Sequence, residues 1–232
     1  MRRRRNLITE IREENGLRLM NRKDIGEYFS SKFSEVFHSS CPNVPPNLDG
    51  LIEPCISAQE NNMLITMPSA EDIKRVVFEM HPLKAPGPDG MPGLFYRHYW
   101  SIVGEQLVAA VQSFFREGWL LHELNHTYIT LIPKVQGAHN FNQFRSINLC
   151  NVCCKVISKS LVSRLRPLLE KMIDPTQAAF IPNRNIAENI ILAQEIVHSF
   201  RTKRKKKGCI GLKIDFQKSY DRMEWSFLLT TL

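Results

Sequence analysis

The chain has 232 residues, of which 43% are hydrophobic, 23% charged and 9% aromatic. That is a globular composition, and it excludes the disordered, collagenous and disulfide-scaffold classes. The net charge of +8 (31 basic minus 23 acidic) is unevenly placed: Arg2 to Arg5 and the run Arg201, Lys203, Arg204, Lys205, Lys206, Lys207 hold ten basic residues, leaving 21 against 23 elsewhere. An excess confined to two blocks predicts contact with a polyanion, the alternatives being a targeting signal or a solvated loop. No apolar run approaches the roughly 20 residues of a spanning helix, and no apolar stretch follows the basic start. The expectation is an intracellular protein, nuclear and cytoplasmic, neither secreted nor membrane-bound. Its six cysteines, Cys41, Cys55, Cys150, Cys153, Cys154 and Cys209, are then free thiols.

Residues 1–68 read as a partly structured connector. Asn15-Gly16 signals a turn between Ile8/Ile11 and Leu17/Leu19, and Ile25, Phe29, Phe33, Val36 and Phe37 form a helical stripe. A breaker-rich stretch follows from Pro42 to Gly50. At Ser69 the character changes, because Ser69-Ala70-Glu71-Asp72 is a capping box leading Ile73, Val76, Val77 and Met80 at helical spacing. That helix should stop before Pro82. The loop Lys84-Ala85-Pro86-Gly87-Pro88-Asp89-Gly90 combines stiffening prolines with permissive glycines. Ile102–Phe115 predicts a second helix, its inward side Val103, Leu107, Ala110, Val111 and Phe114, ended by Gly118.

Thr127–Ile132 is a strand by its β-branched and aromatic content, and Phe144–Leu149 is its partner or an extended segment. Lys134 and Arg145 would flank the intervening loop. A helix follows from Lys155, with Val156, Ile157, Leu161, Val162 and Leu165 inward and Pro167 ending or kinking it. Another spans Ile186–Phe200, striped by Ile186, Ile190, Ala193, Val197 and Phe200. Cys209–Phe216 reads as a strand with Asp215 near its end, and the tail from Gln217 to Leu232 as helical. The last elements meet Leu232 without a capping or polar tail, so a truncated chain is expected. Cys150, Cys153 and Cys154 lack a second pair at zinc spacing and read as core thiols.

Several segments occur in one order: Lys84 to Gly90, Leu131-Ile132-Pro133-Lys134, Phe144-Arg145, Gln177-Ala178-Ala179-Phe180 with Arg184, and Lys213-Ile214-Asp215-Phe216-Gln217-Lys218-Ser219-Tyr220-Asp221-Arg222-Met223-Glu224-Trp225. This series resembles the reverse transcriptases of LINE-type non-LTR retrotransposons, the plant kind in particular, over Ser69 to Leu232. It departs from the family at Ser146, Asn183 and Ser219, where proline, glycine and alanine are usual.

The resemblance implies an α+β, right-hand polymerase fold truncated to the fingers and the first palm strand and helix, with a partial reverse transcriptase domain over 69–232. It implies an RNA-directed DNA polymerase using two Mg²⁺, with Asp215 as catalytic metal ligand and the Phe216 carbonyl as a further donor. Lys134 and Arg145 would grip the triphosphate of a deoxynucleotide, and Tyr220 would lie beneath its sugar. Lys84 and Arg184 would contact the RNA template or DNA primer, as would the 201–207 run. The simpler roles are a helix cap for Asp215, a core ring for Tyr220 and surface solvation for the cations. With the later palm carboxylates absent before Leu232, the fragment alone is expected to be inactive. The rival reading is a non-catalytic RNA-binding module, or a decayed fragment, derived from a retroelement.

Overall fold

The computed structural model describes residues 6–43, 50, 53–202, 210–212, 214 and 220–231. Two strands of two residues, β1 (Ile11–Arg12) and β2 (Arg18–Leu19), pair antiparallel around the Asn15-Gly16 turn, where Gly16 takes φ +87°. Helix α1 (Arg22–Phe37) begins at Asn21, whose side chain accepts from the Lys23 N–H. It buries Ile25, Phe29 and Phe33, while Phe37, at the end of the expected stripe, is exposed. Helix α2 (Ala58–Ile65) starts with a capping box between Ser57 and Glu60.

Helix α3 (Ala70–Glu79) carries the predicted capping box between Ser69 and Asp72 and buries Ile73, Val76 and Val77. Its C-terminal carbonyls, left without intrahelical partners, are taken up by Arg97 of α4 (Gly93–His98), which donates to Val77, Phe78 and Met80. Helix α5 (Trp100–Glu117) buries Gly104, Leu107 and Val111 and ends where Gly118 adopts φ +75°. After the short α6 (His122–Asn125), strands β3 (Thr127–Pro133) and β4 (Phe144–Cys150) form an antiparallel hairpin, register Thr127↔Cys150 through Pro133↔Phe144.

Helix α7 (Val152–Leu165) buries Val152, Cys153, Val156, Ile157 and Ser160. Leu161 and Val162, expected inward, face solvent. Pro167 turns the chain through one 3₁₀ turn into α8 (Leu169–Met172). Helix α9 (Ile186–Thr202) and helix α10 (Trp225–Thr231) are the last helices among the described residues. Of the strand expected over Cys209–Phe216, the described residues Ile210, Gly211, Leu212 and Ile214 join neither sheet, and the three aliphatic side chains among them are exposed.

Two apolar clusters form among the described residues. One joins α3, α5 and α7 through Ile73, Val77, Leu107, Val111, Val152 and Val156. The other sets Ile11, Ile25, Phe29 and Phe33 against Phe144 of the hairpin, with Phe29 and Phe144 in edge contact at 5.4 Å between ring centres. Part of the presumed connector is therefore the floor beneath β3 and β4. Among the described residues no helix is long and apolar enough to cross a membrane.

Candidate nucleic-acid interface

The hairpin brings Lys134 and Arg145 to one end. Side chains alternate across a strand, so Leu131 and Phe144 turn toward α1 while Arg145, paired with Ile132, lies on the opposite, exposed face. Lys134 continues the ladder, its N–H donating to the Gln143 carbonyl at 2.8 Å. Its ammonium donates to the Asn142 carbonyl at 2.9 Å, which leaves further donors directed to solvent. The Gln143 side-chain carbonyl gathers the His139 and Asn140 N–H groups and so shapes the loop. The Arg145 guanidinium makes no ion pair among the described residues. Two cations at the end of one braced hairpin can hold a polyphosphate or a nucleic-acid backbone.

The Lys84–Gly90 loop is docked on the junction of β4 and α7. Asn151 is 3% exposed: its Oδ1 accepts from the Asp89 N–H at 3.2 Å, and its Nδ2 donates to the Glu123 and Leu124 carbonyls. A Cβ on Gly87 would lie 2.3 Å from that Oδ1 and 2.4 Å from the Asn151 nitrogen, so only glycine permits this approach. The Lys155 ammonium fastens the loop from its other side through the Ala85 carbonyl at 2.7 Å. Lys84 is exposed on this held loop.

Arg184 is engaged within its own segment. Its two terminal nitrogens donate to the carbonyls of Glu170, Ile173, Asp174 and Gln177, at 2.6 to 2.9 Å, knitting the irregular segment after α8 together. Within that segment Phe180 and Asn183 take φ +67° and +62°, unusual for residues with a side chain. Tyr220 stands in a turn before α10 and is 89% exposed, so it is not packed on the hairpin. Arg201 sits in the last turn of α9. Asp215, Phe216, Lys203, Arg204, Lys205, Lys206 and Lys207 lie outside the described residues.

Burial raises the Cys153 thiol to about 12 and raises that of Cys154, whose Sγ donates to the Leu124 carbonyl. Cys153 is buried and Cys154 half-buried beside it at the start of α7. Among the described residues no three His, Cys, Asp or Glu side chains converge as a metal site.

Asn151 and Glu224 escaped sequence reasoning. The Glu224 carboxylate accepts from the hydroxyls of Ser39 and Ser40 and the Ser40 N–H, tying the end of α1 to the start of α10. The Ser39 hydroxyl, followed by the Ser40 amide, holds its pKa below the usual carboxylate range. No local pattern announces either role, because every partner is distant in sequence.

Residues 132–232 match the family model described as reverse transcriptase (RNA-dependent DNA polymerase). The chain is similar to the "Transposon TX1 uncharacterized 149 kDa protein" of Xenopus laevis, 26% identical over 231 residues, covering 98% of this chain and 17% of that protein. It is similar to the retrovirus-related Pol polyprotein from type-1 retrotransposable element R1 of Bradysia coprophila, 27% identical over 155 residues, covering 64% of this chain and 15% of that protein. The Pol polyprotein from element R2 of Nasonia vitripennis is 26% identical over 164 residues, covering 71% and 15%. The chain thus spans less than a fifth of the length of each of these relatives.

Proposed function

We propose that the chain is the fingers and first palm strand and helix of the RNA-directed DNA polymerase of a LINE-type non-LTR retrotransposon of the plant kind, with a right-hand fold completed by a longer polypeptide. The observation that carries this reading is the family match over 132–232, which starts within the hairpin that brings Lys134 and Arg145 to one end. In this reading those two cations bind the triphosphate of a deoxynucleotide, and Tyr220, exposed in its turn, becomes the floor of the sugar pocket. RNA template and DNA primer are the partners of the basic residues, including Lys84 on its docked loop.

Asp215 and the Phe216 carbonyl are the oxygen donors proposed to hold Mg²⁺, an ion that accepts such ligands and stabilises charge on a transferring phosphoryl group. Asp215 is one carboxylate, and a two-metal site needs several. The 232-residue chain is therefore expected to show no primer extension on an RNA template, even with Mn²⁺. Joined to the remaining palm of a related element, it should extend a primer, and Asp215→Ala should abolish this through kcat, while Asp221→Ala should act mainly on stability. Extension by the chain itself, or an unchanged kcat for Asp215→Ala in the completed protein, would overturn the assignment.

A further inference from the structure

The geometry points to Phe180 as a stacking platform for one unpaired base of a single-stranded nucleic acid. Its ring is 100% exposed, and the backbone beneath it is held. Phe180 itself has φ +67°, a conformation that side chains larger than hydrogen resist, so something must impose it. The imposing contacts are visible. The four carbonyl bonds of Arg184 close the segment from 170 to 184, Asp174 accepts from both the N–H and the hydroxyl of Thr176, and the Asn189 side chain donates to the Thr176 carbonyl. A fully exposed phenylalanine on a loop so heavily fastened has its position fixed in advance, which reduces the entropy lost on binding.

The surroundings favour a base over a protein surface. Ala178 is buried and Ile181 and Pro182 are half-buried, whereas Gln177, Asn183 and Asn185 are exposed. The segment that carries the ring thus also presents three exposed amide side chains, which can bond base edges. Between Asp174, whose carboxylate is turned onto Thr176, and Glu188, the only charge is that of Arg184. Every base has a π face, so one exposed ring can serve any sequence.

This inference rests on the nucleic-acid reading of the chain and adds a subsite to it. The test uses the whole chain and short uridine oligomers, RNA and DNA, each carrying one 2-aminopurine, at low salt. Binding should quench the 2-aminopurine, and Phe180→Ala should weaken binding by about tenfold, within the range measured for aromatic stacking. Phe180→Trp should retain both quenching and affinity. Phe180→Leu, equally apolar but without a π face, should behave as alanine does. Circular dichroism of each variant should be unchanged, since the ring buries nothing. A Phe180→Leu or Phe180→Ala chain that binds and quenches as the unsubstituted chain does would overturn the stacking role while leaving nucleic-acid binding intact. No binding of either oligomer by the unsubstituted chain would overturn both. Equal effects on RNA and DNA would show that the base is read without its sugar, and an effect on RNA alone would assign the subsite to the template.

Discussion

A methyl group on Gly87 would sit 2.3 Å from Asn151 Oδ1 and 2.5 Å from the Cys150 carbonyl carbon, so Gly87→Ala must lift the loop from α7. Forced overpacking costs about 1–3 kcal/mol, and urea unfolding should report a loss of about 2 kcal/mol. Asn151→Ala strips partners from the Asp89 N–H and from the Glu123 and Leu124 carbonyls at once. These bonds are only partly buried, so each group left unsatisfied should cost toward the lower end of the about 1–3 kcal/mol of a buried one. Asn151→Asp keeps the acceptor for Asp89 but loses both donors, so it should not restore wild-type stability. An unfolding midpoint for Asn151→Ala equal to that of the unsubstituted chain would show that the docking adds nothing. The proline–glycine pattern made this loop legible as stiff, and Lys134 and Arg145 legible as neighbours, because both are local features. The reason for Gly87 lies in a packing contact with a residue far along the chain. Arg184 is a further case, since only tertiary structure reveals the carbonyls that an arginine in an irregular segment serves.

Helix α2 shows what a pattern of caps reveals when periodicity is silent. Ser57-Ala58-Gln59-Glu60 is the same kind of capping box that located α3, but α2 buries no residue, so no stripe follows it. Its Glu60 also binds Lys171 of α8. The Lys171 hydrogen bond first, then the Ser57 N–H and hydroxyl, hold the Glu60 carboxyl at about 2 against an ordinary 4.5. A folded-state value below the unfolded one gives stability that is complete above about pH 4.5 and is lost as the pH falls toward 2. Comparing urea midpoints at neutral pH and near pH 3, Glu60→Gln should lose less on acidification than the unsubstituted chain. Equal losses would place the acid sensitivity elsewhere. Ser57→Ala should cost about 1 kcal/mol as a lost cap. In α7 the buried face is rotated from the one that the large aliphatic residues outline, because the small Ser160 occupies a buried position in line with Val152, Val156 and Ile157 while Leu161 and Val162 face water. In α9 the stripe is real, yet Ile186, Ile190, Val197 and Phe200 are all exposed. Periodicity identifies a face and says nothing of what covers it.

At the scale of the whole molecule, the helical core of α3, α5 and α7 was legible, since each of those helices carries a local stripe. The second core was not, because it joins Ile11 and the phenylalanines of α1 to Phe144 more than a hundred residues later. Charge distribution needs no such contacts, and it makes the largest-scale prediction. Ten of the 31 basic residues lie in two short blocks and the remainder is nearly neutral, so association with single-stranded RNA should be driven by release of counterions from the phosphates those blocks meet. Each contact on a single strand contributes a slope of about −0.7 in log affinity against log salt. If Arg201, Lys203, Arg204, Lys205, Lys206 and Lys207 each meet one phosphate, replacing all six by glutamine should flatten the slope by about 4. Replacing Lys134 and Arg145 together should flatten it by little more than 1. Filter binding from about 50 to 200 mM salt measures both slopes, the range over which several phosphate contacts change affinity by orders of magnitude. An affinity independent of salt, or a slope that survives the sixfold substitution, would show that the basic run is a solvated segment and that the positive excess of this chain serves something other than a polyanion.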